Sequence, residues 1–570
     1  MRAVRAGLAG VASLAFAGLP AAAASPALEN TATGMHGAVA TDQHLATETG
    51  IRILREGGNA VDAAVAIGYT LAATYPDAGN LGGGGFMLVR FADGGAHFID
   101  FRETAPAAAT RDMYLDAHGN AVPERSIVGA LSAGVPGSVA GLEYARERFG
   151  TLPRHELLRD AIAYAANGFT FTAGDAATFA RANALLVKFP ATKAIFAPSG
   201  STPGAGAVLV QPALAATLRA IDERGATGFY EGDVAHRLAA AVRAGGGIIT
   251  EGDLAAYRPV ERDPLTCRHA GMTIVTSPPP SSGGLAICEI LGIIGDDKPL
   301  PPLRSFANAH LEIEAERRAF ADRNTSLGDP DFVPSPVARL LAPAYLAQLR
   351  ASIAPVLATP SLEIHGGGVA LHEGSNTTNY SVVDAAGTAV DVTYTLNNSF
   401  GSGFVAGDTG VLLNDEMDDF TAKAGAPNMF GLVQGAANAI APGKRPLSSM
   451  SPSIVVDGGG RVVLVAGAAG GPRIITTTLD AIRGTVDFGE TVAAALAAPR
   501  VHMQWLPDVV YAEDGAFDPA TLARLTAAGY HLEAGRAGSA ANAIGVAPDG
   551  ARTAAHDPRF GVAAGSALAY

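Results

Sequence analysis

Two threonines, Thr377 and Thr395, stand where a predicted β-hairpin would bring their hydroxyl groups together. Small polar residues precede an alternating run in which Tyr380 and Val382 share one face, and a second alternating run extends from Ala389 to Leu396. The loop between the runs ends in glycine, which suits a three-residue turn whose last residue is left-handed. With that loop closed, Thr377 lies opposite Thr395, whereas a one-residue shift of the register would separate them.

This pair of threonines has two interpretations. Facing hydroxyls at the head of a hairpin can be a stabilising cross-strand pair and nothing more. Alternatively, Thr377 is a nucleophile, activated by a free α-amine on the same residue that acts as an adjacent base. The chain gains that amine only if the bond between Asn376 and Thr377 is cut. The second interpretation therefore predicts that the Thr377 hydroxyl first attacks the preceding carbonyl and then attacks a substrate amide.

Further motifs accompany the threonine hairpin along the whole chain. Those in the second half are Thr377 to Asp384, Thr393 to Asn397, Met417 to Phe420, Arg445 to Pro452 and Gly470-Gly471. Those in the first half are Gly79 to Met87, Phe101 to Glu103 and Pro278 to Gly284. In order and spacing they resemble the small- and large-subunit motifs of the γ-glutamyltransferases (γ-glutamyl transpeptidases). The resemblance extends from about residue 35 to the C-terminus.

The resemblance implies catalytic roles for four residues. Thr377 would be the nucleophile, and Thr395 would hold its hydroxyl by a side-chain hydrogen bond, where the alternative is ordinary strand packing. The backbone N–H groups of Gly470 and Gly471 would stabilise the oxyanion, since glycine offers its N–H with no Cβ in the way. Similar enzymes usually carry Pro-Gly-Gly at this point, and Ala469 replaces the proline here. That change loosens the loop but keeps the donors.

The substrate roles follow from the γ-glutamyl group, which carries an α-carboxylate and an α-ammonium far from the scissile amide. The resemblance implies that a guanidinium and two hydroxyls bind the carboxylate, those of Arg102, Ser448 and Ser449. It implies that two carboxylates and one amide bind the ammonium, those of Glu416, Asp419 and Asn397. Asp419 is preferred to its neighbour Asp418 by the match alone, because adjacent residues of an extended chain face opposite ways.

The residues alone also allow plainer interpretations of this set. Arg102, at a predicted strand end, can pair with Glu103 or Asp100, and the two serines can form a turn after a proline. The long loop from Asp419 to Ser448 is predicted to be a lid. Phe430 lies in it where many relatives carry tyrosine, so a hydrogen bond that closes the lid is in doubt. We therefore expect hydrolysis to be favoured over transfer.

Composition excludes several classes of function. The 570-residue chain is 48% hydrophobic and 16% charged with 69 glycines, which is typical of a compact enzyme and not of a disordered chain. Its net charge of −14 argues against nucleic acid or an anionic membrane surface as a partner. The sequence contains no Gly-x-Ser-x-Gly elbow and no His-Glu-x-x-His motif, and neither a metal nor a cofactor is expected.

Residues 1–24 are interpreted as a secretory signal, with a positively charged start, an apolar run from Leu8 to Leu19 and small residues at the end. The alternative, an uncleaved anchor, is disfavoured because the run is too short to span a membrane comfortably. We expect a periplasmic or secreted protein with no membrane attachment after signal removal. In that oxidising compartment Cys267 and Cys288 could pair, but two separate buried thiols are the favoured interpretation.

The elements that must position these residues begin with two helices between His44 and Tyr75, the second capped by Asn59. The glycines from Gly82 to Gly85 precede a strand, so they are interpreted as close backbone packing or a tight turn and not as a nucleotide-binding loop. A strand is predicted at 272–276, and residues 377–465 are predicted to be strand-rich. Amphipathic helices are predicted at 138–149, 154–166, 211–224 and 306–322.

Helices, then strands, then helices again fit an α+β fold with two central sheets. The resemblance implies the four-layer αββα sandwich of the N-terminal nucleophile hydrolases, formed jointly by two chains cut from one precursor. The predicted large subunit is 25–376 and the small subunit is 377–570, and the two associate as a heterodimer.

The expected activity is that of a γ-glutamyltransferase and glutathione hydrolase. Thr377 would take the γ-glutamyl group from glutathione or another γ-glutamyl compound and pass it to water, an amino acid or a dipeptide. A rival on the same fold is a cephalosporin (glutaryl) acylase or an enzyme acting on poly-γ-glutamate. The predicted ammonium-binding set favours γ-glutamyl, since a glutaryl group has no α-amine. A rival of another class is a secreted, non-catalytic binding protein, which would not cleave itself.

Overall fold

The computed structural model describes residues 30–296, 299–364, 377–423, 425–535, 538–560 and 565–570. The predicted signal at 1–24 and Asn376, the residue before the proposed cleavage point, lie outside these ranges. None of the helices within them is long and apolar enough to cross a membrane.

The β-strands of the described ranges are, in chain order, β1 Thr31–Gly34, β2 Ala38–Thr41, β3 Gly84–Arg90, β4 Ala96–Asp100, β5 Phe169–Thr170, β6 Val208–Leu209, β7 Val260–Arg262, β8 Leu265–His269, β9 Met272–Thr276, β10 Thr378–Val383, β11 Ala389–Thr395, β12 Ser453–Val456, β13 Val462–Ala469, β14 Val501–His502, β15 Val510–Ala512, β16 Leu532–Ala534, β17 Ala540–Val546, β18 Arg552–His556 and β19 Ser566–Ala569.

The α-helices are α1 His44–Arg55, α2 Ala60–Thr74, α3 Glu124–Ile127, α4 Ser138–Phe149, α5 Arg154–Asn167, α6 Ala173–Leu186, α7 Pro190–Phe196, α8 Pro212–Arg224, α9 Thr227–Tyr230, α10 Gly232–Ala244, α11 Glu251–Ala256, α12 Gly283–Ile294, α13 Phe306–Ser326, α14 Val337–Leu340, α15 Pro343–Ala351, α16 Ser361–Ile364, α17 Arg473–Val486, α18 Val492–Ala497 and α19 Pro519–Ala527. Short 3-10 turns occur at Ala130–Ser132, Glu416–Asp419, Ala436–Asn438 and Pro558–Phe560.

Two seven-stranded sheets form the centre of the molecule. Sheet 1 has the order β19-β2-β10-β11-β3-β4-β7, and sheet 2 has the order β1-β18-β17-β13-β12-β9-β8. Every neighbouring pair in both sheets is antiparallel. The strand order brings strands that are distant in the sequence next to one another, and β10 lies between β2 and β11.

The sheets stack face to face, and helices cover both outer faces. Tyr380 and Val382 of β10 pack into a core shared with α1, α2, α4 and α5. The opposite face of sheet 1, including Phe86 and Leu88, packs against Ile454 of sheet 2 and its neighbours. Helices α12, α17 and α18 cover the far side of sheet 2. The result is a mixed architecture of helices, sheet, sheet and helices, which confirms the predicted α+β class with two central sheets.

The predicted elements around the site are confirmed. The hairpin closes as expected, with the Asp384 N–H donating to the Thr388 carbonyl and Gly387 in the left-handed region at φ +89°. Helices α1, α2, α4, α5, α8 and α13 and strand β9 match the predicted segments within a few residues. Asn59 caps α2 as predicted, in a reciprocal capping box with Asp62.

The prediction that residues 377–465 are strand-rich is wrong between β11 and β12, where the described residues 396–423 and 425–452 form isolated bridges but no strand. The apolar residues of that stretch are buried against helices instead of in a sheet. Phe400, Val405 and Leu412 pack in a cluster with Phe179 of α6 and Phe196 of α7. Alternating apolar residues indicate burial, and here the side chains are buried against helices, with only an isolated bridge between Val405 and Leu412.

The favoured interpretation of the two cysteines is also wrong. Cys267 of β8 and Cys288 of α12 form a disulfide, with their Cα atoms 5.8 Å apart. The sequence could not show this, because it does not reveal that α12 packs back onto the strand two elements earlier in the chain.

We expect the unreduced, denatured protein to show no titratable thiol. The disulfide joins residues 21 apart in sequence, so the double substitution Cys267→Ala, Cys288→Ala should lower the free energy of unfolding by about 3 kcal/mol through loop entropy in the unfolded chain. Thiol titration in denaturant and the thermal unfolding midpoint measure the two effects. Two free thiols in the unreduced protein would contradict the pairing.

Candidate active site

The structure brings the hydroxyls of Thr377 and Thr395 together. Thr378 of β10 pairs with Tyr394 of β11, which is the register predicted from the sequence. The Thr395 hydroxyl donates to the Thr377 hydroxyl at 3.4 Å, and the backbone N–H of Asn397 donates to Thr395 Oγ1 at 2.8 Å. That N–H occupies a lone pair of Thr395 and leaves its proton for Thr377. Both threonine side chains are buried.

Asn80, in the loop before β3, holds the backbone of Thr395. Its side-chain N–H donates to the Thr395 carbonyl at 2.9 Å, while its side-chain oxygen accepts from Gly83 N–H at 2.9 Å and from the Ser138 hydroxyl at 2.6 Å. A Cβ on Gly83 would overlap the Thr395 carbonyl oxygen. The glycines before β3 are therefore a case of close backbone packing, one of the two interpretations that the sequence left open.

A small cavity of about 20 Å³ opens beside the threonine pair. Most of the predicted site residues line it: Arg102, Thr377, Thr395, Asn397, Glu416, Asp419, Phe430, Ser448, Ser449 and Gly471. Gly470 instead lines a much larger cavity, of about 1310 Å³, which also reaches Thr377. The smaller space holds little more than one water molecule, so a larger ligand needs the residues that cover it to move.

Arg102 and the two acidic residues predicted to bind an ammonium are ion-paired with one another. The guanidinium of Arg102 donates to Glu416 and to Asp419, and it lies 3.8 Å from Glu103. Arg102 and Glu416 are both 1% exposed. Arg102 was predicted to pair with sequence neighbours or with a ligand, and these two partners could not be predicted because they lie more than 300 positions away.

Burial controls the protonation of this cluster. Burial strongly raises the pKa of Glu416, and Arg102 only partly offsets that effect. Burial raises the pKa of Glu103 to about 7, again opposed by Arg102. The side-chain oxygens of Glu103 and Oε2 of Glu416 are buried and have no hydrogen-bond partner among the described residues. A cation that binds beside these oxygens opposes the effect of burial and stabilises the carboxyl groups in their charged form.

The two neighbouring aspartates take different roles. Asp419 faces the cavity, whereas Asp418 accepts from the Ser126 hydroxyl at 2.5 Å and from Met429 N–H at 2.9 Å. The backbone from Glu416 to Asp419 is a 3-10 turn and not extended, yet the two side chains still diverge. Burial raises the pKa of Asp418 to about 6. Asn397, the third predicted ammonium ligand, lines the cavity and donates to the Asp415 carbonyl at 3.1 Å.

The two serines are held by the segment 278–284 and by α13. The Ser448 N–H donates to the Pro280 carbonyl at 3.0 Å, and the Ser448 hydroxyl oxygen accepts from Met450 N–H at 3.1 Å. The Ser449 hydroxyl oxygen accepts from Arg323 at 3.0 Å. In both serines a fixed donor occupies one lone pair of the hydroxyl oxygen, which leaves the O–H free to donate.

Gly470 and Gly471 join β13 to α17 with φ of +130° and +56°. Glycine adopts these angles without the strain that a side chain brings. The turn places both residues just before the N-terminus of a 14-residue helix, where the helix dipole favours negative charge. The sequence analysis identified the two glycines but not the contribution of the helix.

The segment between Asp419 and Ser448 covers the cavity. Its described residues, 420–423 and 425–447, form a 3-10 turn at Ala436–Asn438 and two isolated bridges, Thr421 with Ala439 and Pro427 with Val433. Phe430 lies 4% exposed against the cavity, and its carbonyl accepts from the Gln504 side chain at 3.2 Å. Phe430 thus lines the same cavity as the threonine pair, and the lid role of the segment stays a prediction.

Arg323 and Asn80 are the site residues that the sequence analysis missed. Arg323 lies in α13, which was predicted to be amphipathic but buries charged residues on most of its surface. A signal was present, since the charged residues of α13 spread around most of the helix and alternate with apolar ones instead of forming one polar face. Asn80 belongs to the motif from Gly79 to Met87, but its residue type did not indicate a contact with Thr395.

Across the described ranges, no group of three or more His, Cys, Asp or Glu side chains is arranged to hold a metal ion. The groups that the structure does bring together at this site are a hydroxyl pair, two glycines before a helix N-terminus and a buried cluster of charges.

We expect Gly83→Ala to displace Thr395 and with it the hydroxyl pair, because the added methyl meets the Thr395 carbonyl. The matched control is Gly204→Ala, where an added Cβ meets nothing within 4 Å. Gly83→Ala should lower the thermal unfolding midpoint by several degrees and abolish any activity that depends on Thr377, whereas Gly204→Ala should change neither. Equal behaviour of the two variants would show that the contact is not needed.

Comparison with known proteins agrees with the geometry. Residues 46–566 match the family model described as Gamma-glutamyltranspeptidase. The chain is 51% identical over 489 residues to a glutathione hydrolase proenzyme of Pseudomonas sp. (strain A14), which covers 85% of this chain and 84% of the relative. It is 47% identical over 527 residues to the glutathione hydrolase proenzyme of Escherichia coli (strain K12), covering 92% and 90%.

A solved structure extends the comparison to the fold. The crystal structure of cephalosporin acylase from Bacillus halodurans superposes with a TM-score of 0.83 at 27% identity and covers 97% of this chain and 99% of that one. The family model spans most of the chain, and the sequence relatives exceed 45% identity over more than four-fifths of it. The chain therefore belongs to the γ-glutamyltranspeptidase family.

Proposed function

We propose that the protein is a self-processing γ-glutamyltransferase that also hydrolyses glutathione. The observation that carries the proposal is the Thr377–Thr395 hydroxyl pair at the edge of a cavity that presents both a cationic and an anionic set. The names of the two curated relatives, both glutathione hydrolase proenzymes, support the substrate class.

Processing begins at the bond between Asn376 and Thr377. The Thr377 hydroxyl attacks the Asn376 carbonyl carbon, the C–N bond breaks, and the proton of the hydroxyl passes to the departing nitrogen. That step frees the α-amine of Thr377, and water then hydrolyses the resulting ester, which releases the carboxylate of Asn376 and restores the Thr377 hydroxyl. The products are a large subunit, 25–376 after removal of the signal 1–24, and a small subunit, 377–570. They remain together as a periplasmic or secreted heterodimer of the N-terminal nucleophile hydrolase type.

In the mature enzyme the α-amine of Thr377 takes the proton of its hydroxyl, which attacks the γ-carbonyl of the donor. Thr395 orients that hydroxyl. The N–H groups of Gly470 and Gly471 hold the developing oxyanion, a contribution of roughly 3–4 kcal/mol per donor in comparable sites. The amide C–N bond breaks as the amine leaving group takes the proton, and water or an acceptor amine then attacks the γ-glutamyl ester.

The ion pairs of Arg102 explain how the donor can be recognised as a zwitterion. Its α-ammonium would replace the guanidinium at Glu416 and Asp419, with Asn397 as a further ligand. Its α-carboxylate would then pair with Arg102 and accept from the O–H groups of Ser448 and Ser449. A buried charge without a partner is strongly destabilising, so a ligand that supplies both charges exchanges one set of ion pairs for another.

Thr377 lines both cavities, which supports a division of the substrate between them. The small cavity would hold the γ-glutamyl group once the lid has moved, and the larger cavity would hold the leaving group or the acceptor amino acid or dipeptide.

The superposition on a cephalosporin acylase raises one related activity, that of a glutaryl acylase on the same fold. A glutaryl donor lacks the α-ammonium and would leave Glu416 and Asp419 without a new partner. The ratio of activity on γ-glutamyl and glutaryl anilides separates the two substrate classes, and we expect it to favour γ-glutamyl by about tenfold or more.

The first prediction concerns processing. The denatured mass of the purified protein should show two chains, the smaller beginning at Thr377, whereas Thr377→Ala should remain one chain because it has no hydroxyl to attack with. Thr377→Ser is the matched control, since it keeps the hydroxyl, and it should still cleave. A wild-type chain that stays whole would contradict the proposal and favour a binding protein.

The second prediction concerns the lid. Phe430→Tyr should lower the ratio of hydrolysis to transfer, because the added hydroxyl can hydrogen-bond across the closed lid and limit access of water. The measurement is the partition of a γ-glutamyl anilide between glutamate and a γ-glutamyl dipeptide. Phe430→Leu, which adds no hydroxyl, serves as the control. The idea fails if the ratio is the same in Phe430→Tyr as in the wild type.

A further inference from the structure

Arg323 is a buried cation at the cavity without an ion-pair partner among the described residues. It is 2% exposed, and its nitrogens donate to Ser282 Oγ at 2.9 Å, Asn324 Oδ1 at 2.8 Å and Ser449 Oγ at 3.0 Å. All three acceptors are neutral. Buried charges are nearly always paired. The Arg323 guanidinium has only neutral acceptors, so it is placed to bind an anionic ligand.

The neighbouring charges strengthen that conclusion. The two acidic groups of the cavity wall, Glu416 and Asp419, are both engaged by Arg102. Burial lowers the pKa of Arg323 to about 10, opposed by the nearby Asp419 and reinforced by Arg102. At neutral pH the side chain therefore stays charged, and the cavity contains two guanidinium groups although its acidic groups pair with only one of them.

Ser449 links Arg323 to the ligand space. Its hydroxyl oxygen accepts from Arg323, so its O–H points elsewhere, and within the described part of the chain no acceptor takes it. The backbone carbonyl of Ser448 accepts from the Ser282 hydroxyl at 2.6 Å, and Ser282 is also a direct partner of Arg323. One guanidinium thus fixes both the serine that donates and the loop that carries it.

We propose that Arg323 is a specificity-determining residue that, through its charge and its hold on Ser449 and Ser282, selects donors with a free α-carboxylate. This rests on the proposed function, since it concerns the same donor. Arg102 and Arg323 approach the carboxylate from two sides, and only Arg102 must first release its acidic partners. The donor carboxylate then provides the anion that Arg323 lacks.

The test compares two donors that differ only in the α-carboxylate, a γ-glutamyl anilide and a 4-aminobutanoyl anilide. Arg323→Gln should raise KM for the γ-glutamyl donor about 10- to 100-fold, the range for loss of a charge-assisted contact, with kcat changed little. Activity on the 4-aminobutanoyl donor should change less than threefold, so the discrimination between donors falls. Arg323→Lys keeps the charge and should retain part of the discrimination.

Arg318→Gln is the matched control. Arg318 is an equally buried arginine of α13, but it pairs with Glu314 and does not line the cavity. Its loss should lower the unfolding midpoint and leave donor discrimination unchanged. Ser282→Ala, which removes one partner of Arg323, gives a milder variant, with an expected rise in KM for the γ-glutamyl donor of about threefold to tenfold.

Binding of L-glutamate, measured by calorimetry against 4-aminobutanoate, gives a readout that does not depend on turnover. Equal loss of affinity for both ligands in Arg323→Gln would overturn the proposal. Failure of all three variants, Arg323→Gln, Arg323→Lys and Ser282→Ala, to fold or to process would also overturn it, because the role of Arg323 would then be structural. A wild type that processes but ignores every γ-glutamyl donor refutes the proposed function instead.

Discussion

The site depends on the close approach of two backbones, that of the loop before β3 and that of the end of β11. Gly83 has no side chain, so the loop can lie against the Thr395 carbonyl, and Asn80 fixes that carbonyl by a hydrogen bond. Thr395 in turn sets the position of the Thr377 hydroxyl across the hairpin. The position of the Thr377 hydroxyl is thus fixed by the geometry of the sheet and not by a mobile loop.

A second constraint is electrostatic. Arg102, Glu416 and Asp419 form a compact cluster almost without solvent, next to a second guanidinium at Arg323. In such surroundings each charge depends on its partners, and the set is stable only if the charges are matched. A zwitterionic ligand preserves that match, whereas a ligand with one charge disturbs it. Selectivity for an α-amino acid head group then follows from the balance of charges as much as from shape.

The sequence was most informative where pattern and turn chemistry agree. The β10–β11 register followed from alternation and a glycine at the end of the loop, and the helices around Asn59 followed from spacing and a cap. The partners of Arg102 could not be found this way, since Glu416 and Asp419 lie in a 3-10 turn far along the chain. Arg323 was hidden because a charged residue in a predicted amphipathic helix is normally exposed. The disulfide was missed because the sequence does not show how close β8 and α12 lie in the fold.

The order of strands in the two sheets has a consequence for how the molecule survives a cut before Thr377. In sheet 1, β2 lies between β19 and β10, and in sheet 2, β1 and β9 flank the block from β18 to β12. Segments before and after the cut are therefore interleaved, and they cannot part without breaking ladders in both sheets. Folding of the uncut chain is unimolecular, but refolding of the separated pieces requires two molecules to meet. A cut molecule would therefore persist because it unfolds slowly, and not because its two pieces refold readily.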